Sequence, residues 1–171
     1  MQGDEELRKD IDAVTAIRYP GQFAAAWKQL MEMGGHRLRI VAEDRTYNCH
    51  AHGLGIEQLP EYQRRVTKEG NSALVKGSFV TELIERGELH LVEGKSYEPG
   101  NVVVYFKDGK PTHTARVAEK DALLVSKWGG NEVIEHGLWE LPTSYGDEYK
   151  VFKAPDPQRV WTLVEDWLAK N

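Results

Sequence analysis

The chain has 171 residues, 40% apolar and 29% charged, with five Trp, seven Tyr and four Phe, which is core material for one ordinary domain and excludes wholesale disorder. Lys and Arg total 22 against 27 Asp and Glu, a net charge of −5, so a phosphate backbone finds no basic excess and no nucleic-acid partner is expected. No apolar run approaches the roughly 18 residues of a membrane span, so no membrane partner is expected either.

The start, Met1-Gln2-Gly3-Asp4-Glu5-Glu6, is acidic with no apolar segment behind it, so a secretory signal is not expected. A single cysteine fits a reducing compartment, and the expected setting is cytoplasmic. Leu7, Ile11, Val14 and Ile17 form one helical stripe; Tyr19-Pro20-Gly21 breaks it. Phe23, Trp27, Leu30 and Met31 form a second, stopped by Gly34-Gly35. Residues 38–41 read as a short strand, and residues 51–56 as a turn or two of helix weakened by Gly53 and Gly55. Glu61-Tyr62-Gln63-Arg64-Arg65 reads as a solvated face. Ser78 is the expected cap of a helix carrying Phe79, Leu83 and Ile84 and ended by Gly87.

From there the period changes from about 3.6 to 2. Residues 89–92 and 102–106 read as strands, and Asp108-Gly109 is a hairpin signal leading into a returning strand over 112–117. Residues 122–128 follow as a third strand, and 133–134 and 149–152 as added edges. Asp156 and Pro157 open a closing helix with Val160, Leu163, Val164, Trp167 and Leu168 on its buried stripe. The expected fold is α+β over a single domain, 1–171: N-terminal helices over 1–44, an antiparallel sheet meander within 45–153, and a C-terminal helix over 154–171.

Cys49 is the one thiol, in Tyr47-Asn48-Cys49-His50-Ala51-His52-Gly53. A lone intracellular cysteine is most often a small buried hydrophobe. Here its neighbours Asn48 and His50 are polar, and a loop-to-helix junction supplies unpaired N–H groups that favour a thiolate. The same donors can hold the oxyanion of a tetrahedral intermediate. His113, on the strand after the hairpin, is the candidate base, with a satisfied structural histidine as the competing reading. His50 and His52 suggest zinc if they lie on a strand; on a helix the rings diverge by about 200° and chelation fails. No Cys-x-x-Cys, phosphate-cradling loop or nucleophile elbow occurs, so neither metal nor cofactor is expected. His36 and His90 read as surface or linker residues, and His136 as part of a loop behind the third strand.

Asn48-Cys49, Val103-Val104-Tyr105, Thr112-His113-Thr114-Ala115-Arg116, Ser126-Lys127-Trp128-Gly129, Glu135-His136 and Ser144-Tyr145-Gly146, taken in order, resemble a bacterial domain-of-unknown-function group related to the NlpC-type papain-like cysteine hydrolases. The resemblance covers roughly residues 45–153. It implies a cysteine at the start of a helix packed on an antiparallel sheet, a histidine on a strand, and a third polar residue on the next strand. Carried over, Cys49 is the nucleophile and His113 the base. The third position falls at Ser126 or Lys127, where the family has His, Asn or Gln; a lysine cannot accept an imidazole N–H. His136 and Asn131 are substitutes from the following loop. Asn48 is the candidate oxyanion donor, with a helix cap as the competing role.

The expected function is therefore a thiol-dependent amide hydrolase or acyl transferase acting on a peptide or protein amide, such as a peptidase, amidase or deamidase. A phage product, a delivered toxin or an intracellular amidase would need no signal peptide. The alternatives are a catalytically inactive binding or immunity-type module on the same fold, and a metal-dependent hydrolase using His50, His52 and His113.

Overall fold

A computed structural model describes residues 2–43, 46–70, 75–94, 96–119, 121–128 and 132–170. Seven strands form one sheet, β1 (Arg39–Glu43), β2 (His90–Leu91), β3 (Val102–Lys107), β4 (Lys110–Glu119), β5 (Leu123–Trp128), β6 (Glu132–His136) and β7 (Glu148–Lys153), in the order β1-β6-β5-β4-β3-β7-β2. Every neighbouring pair is antiparallel. The middle of the sheet, β3 to β6, is the expected meander. Its first hairpin turns through Asp108 and Gly109, both at positive φ (51° and 71°), as a tight turn matched to strand twist requires.

Helices cover both faces. On one side α1 (Gln2–Thr15) and α2 (Pro20–Glu32) bury Ile11, Val14, Trp27 and Leu30 against Val103, Tyr105, Ala115, Val117, Leu124 and Ile134. On the other, α3 (Cys49–Leu54), α4 (Pro60–Glu69), α5 (Gly77–Glu85) and α6 (Pro157–Leu168) bury Ala51, Tyr62, Phe79, Leu83, Val160 and Trp167 against Val102, Val104, Phe106 and Phe152. β3 lies central with both faces covered, which is why residues 102–106 are apolar without alternation. The architecture is α+β with an antiparallel sheet, and among the described residues no helix is long and apolar enough to cross a membrane.

Five local expectations are corrected. β7 is an interior strand, paired with β3 on one side and β2 on the other, rather than an added edge. β6 is an interior strand, because β1 returns from nearly a hundred residues away to pair with it (Ile40 opposite Ile134). His136 closes that strand as a fully buried residue instead of sitting in a loop. Residues 61–65 belong to α4, which starts at Pro60 and buries Tyr62 against Trp161 (ring centroids 5.8 Å apart). The residue capping α5 is Lys76, placing Ser78 inside the first turn.

Candidate functional site

Cys49 is the first residue of α3. Asn48, extended at φ −107°, ψ −179°, caps that helix by accepting from the Ala51 N–H at 3.1 Å, and its side-chain amide donates to the Val75 carbonyl at 2.6 Å. Asn48 is thus the cap of α3, and the second N–H of its side-chain amide is used by neither bond. α3 is fixed to the sheet by Thr114 on β4: its hydroxyl donates to the Cys49 carbonyl at 2.7 Å and lies 3.3 Å from His50 Nδ1. A Cβ at Gly53 would stand 2.7 Å from Thr114 Cβ and Oγ1, so the close approach of helix and strand requires the glycine.

The backbone N–H groups of Thr114, His50 and Cys49 itself, and the Lys127 ammonium, act on the thiol. Each of these favours the thiolate, but burial outweighs them and pushes the thiol up to about 11. The resting group is a protonated thiol. Lys127, on β5, is buried on this same face with its ammonium 5.6 Å from the Tyr47 ring.

His113 immediately precedes Thr114 on β4. Strand alternation turns its ring to the other face, where it stacks on Tyr145 (centroids 4.0 Å apart, planes 10° apart) and lies 5.9 Å from the Tyr105 ring. Thr112 holds Tyr145 there by donating to its carbonyl at 2.5 Å. Sulfur and imidazole thus flank one stretch of β4 from its two faces, and no hydrogen bond joins them. Burial, with the charges of His136, His50 and His52 adding to it, holds His113 well below the ordinary histidine range, so the ring is neutral at pH 7. Its Nε2 is buried with no hydrogen-bond partner among the described residues.

The third position does not serve His113. Trp128 Nε1–H donates to Ser126 Oγ at 3.0 Å, and Ser126 Oγ–H donates to His136 Nε2 at 2.8 Å. His136 Nδ1–H donates in turn to the Gly137 carbonyl at 2.7 Å, which fixes the tautomer. Both nitrogens of His136 are occupied, and burial lowers its pKa to about 4. Ser126 and His136 form a closed structural relay, so neither orients His113 as expected; Asn131 lies outside the described residues.

His50 and His52 lie on a helix, and their rings go to different neighbours. His50 faces Thr114 and has its pKa lowered to about 4 by burial. His52 stacks on Tyr47 (5.9 Å, 12°) with Nδ1 3.3 Å from Glu57 Oε1. Arg116 completes that cluster, donating to the His52 carbonyl at 2.5 Å and lying 3.5 Å from Glu57. Glu57 and Arg116 carried no separate sequence signal; a buried carboxylate two residues past a helix stop is visible once the fold is known. Among the described residues no group of three or more His, Cys, Asp or Glu is placed to hold a metal ion, and the splayed His50–His52 pair does not chelate one.

Residues 39–153 match the family described as Domain of unknown function (DUF7689). The chain belongs to that family. The DUF7689 match opens at the first residue of β1 and closes at the last of β7, so it takes in the whole sheet, Cys49, His113 and the Ser126–His136 relay, and leaves α1, α2 and α6 outside. No curated protein and no solved structure matches the chain.

Proposed function

We propose that this DUF7689 chain is a thiol-dependent amide hydrolase or acyl transferase of papain-like, NlpC-type architecture, with Cys49 as nucleophile and His113 as base. One observation carries the reading: a thiol at the first residue of α3, on which the backbone N–H groups of Thr114, His50 and Cys49 act in favour of the thiolate, anchored to β4 at Thr114, the residue after the neutral His113. Backbone donors around a reactive sulfur are what an acyl-transfer site needs, because negative charge develops on the attacked carbonyl oxygen beside it. A neutral imidazole is the form that can accept a proton.

In the proposed reaction Sγ bonds to the carbonyl carbon of a peptide or protein amide while its proton goes to His113. The imidazolium then protonates the leaving nitrogen, the C–N bond breaks, and a thioester on Cys49 remains. Water (hydrolysis) or an amine (transfer) attacks that thioester, loses a proton to His113, and restores the thiol. His113 lies across β4 from the sulfur, so the first step requires β4 and α3 to rearrange until ring and thiol share one face; rotation of the side chain alone does not bring them together. Tyr145 is then a positioning residue. A cytoplasmic setting keeps the single thiol reduced.

An activated ester replaces the unidentified substrate in the test. With p-nitrophenyl acetate at pH 7, a stoichiometric nitrophenolate burst is expected, lost in Cys49→Ala and slowed at least about 100-fold in His113→Ala. A burst that survives His113→Ala unchanged would contradict the assignment. The raised thiol and the missing Cys49–His113 hydrogen bond favour one second reading, a non-catalytic binding module; that reading expects no burst from the native protein.

A further inference from the structure

Beyond the thiol site, a cavity of about 290 Å³ opens between α1, α2 and the strands β5 and β6. Its walls include Phe23, Trp27, Trp128 and Tyr145, with Glu132 and Ser144 as polar members. The aromatic rings form a continuous set: Phe23 stacks on Trp27 (5.8 Å, 11°), Trp27 meets Trp128 edge-on (5.8 Å, 66°), and Trp128 meets Tyr145 edge-on (6.1 Å, 89°). The negative faces of such rings attract a cation, most strongly where water is displaced.

Charge points the same way. Glu132 lies directly opposite Glu43 across the β1–β6 ladder, an arrangement of like charges that destabilises a sheet unless a cation sits near. Neither carboxylate has an ion-pair partner among the described residues.

We propose that this cavity binds an alkylammonium group, held by its aromatic walls and the Glu132 carboxylate. A lysine side chain in a peptide and a free amine share this chemistry. The cavity shares Tyr145 with the His113 stack but does not include Cys49, so amine binding is read separately from Cys49 acylation.

The test titrates the full chain with Nα-acetyl-lysine N-methylamide, its uncharged norleucine counterpart and n-butylammonium, following the Trp27 indole N–H resonance and tryptophan fluorescence. Saturable shifts with both amines are expected, with the norleucine compound at least about tenfold weaker and Glu132→Gln weakening the lysine compound by about the same factor. Tighter binding of the lysine compound than of butylammonium assigns the site to peptide lysine; equal binding assigns it to a free amine. Because Glu132→Gln relieves a like-charge pair, the variant should fold at least as well as the parent. Equal binding of the norleucine compound, an unchanged affinity in Glu132→Gln, or no saturable shift would overturn the proposal.

Discussion

Gly53 decides how closely α3 approaches β4. In a free helix Gly→Ala stabilises by about 1 kcal/mol, since glycine loses the most backbone entropy. Here the added methyl would meet Thr114 Cβ and Oγ1 at 2.7 Å, and Oγ1 is the atom that holds the Cys49 carbonyl. Overpacking of this kind costs about 1–3 kcal/mol, so the steric effect wins. Set against that gain, Gly53→Ala should lower unfolding free energy by up to about 2 kcal/mol in urea melts, with a slower acylation of Cys49; a stabilised variant would show that helix and strand are not in contact. At this scale the sequence exposes Cys49 and His113 as unusual, because polar neighbours interrupt the apolar pattern. It does not expose which face of β4 each side chain takes relative to α3, or that Ser126 belongs to His136. Those facts depend on where the helices settle.

At the scale of elements, α1 acts as a clamp. Arg8 donates to the carbonyls of Leu141 (3.1 Å), Pro142 (3.2 Å) and Gly146 (2.7 Å). Asp12 accepts from Thr143 N–H (2.9 Å) and its hydroxyl (2.6 Å). The clamped segment carries Tyr145, the ring that holds His113. A helix outside the family-matched region thereby reaches the candidate site through two side chains. Asp12→Ala is expected to cost about 1–2 kcal/mol, a fall of roughly 2–8 °C in Tm for a chain of this size. It should also change the rate of Cys49 acylation although Asp12 touches neither Cys49 nor His113. An unchanged rate would detach Tyr145 from catalysis. Elements governed by local chemistry were readable: the Asp108-Gly109 turn, and α6, where Asp156 caps by accepting from Arg159 N–H at 3.1 Å ahead of Pro157. Elements governed by distant pairing were not. The interior place of β6 depends on β1, and α4 buries Tyr62 within an otherwise charged stretch, so neither follows from a short window of sequence.

For the whole molecule, three buried neutral histidines link stability to acid. His50 and His136 are lowered to about 4, and His113 lies well below the ordinary value. Between about pH 4 and 6.5 the unfolded chain holds these three protons and the folded one does not, so stability is complete above that window and is lost as pH falls through it. Three protons correspond to about 4 kcal/mol per pH unit at the steepest point. A domain at the lower end of the usual range of about 5–15 kcal/mol should therefore unfold before pH 4. Calorimetric unfolding near pH 5 should show uptake of about three protons; uptake near zero would mean that the rings are solvated. Helices on both faces of one sheet produce this enclosure, and they also leave the aromatic cavity between α2 and β5–β6 as a separate opening.

The pairing of Cys49 with His113 is tested most directly by intact-mass measurement of the acetyl adduct formed at pH 7, comparing the wild type with His113→Ala under identical exposure to p-nitrophenyl acetate. One acetyl group on Cys49 is expected in the wild type within the burst, and at least about 100-fold slower modification in the variant. Equal rates in the two proteins, or no adduct on native Cys49, would contradict it.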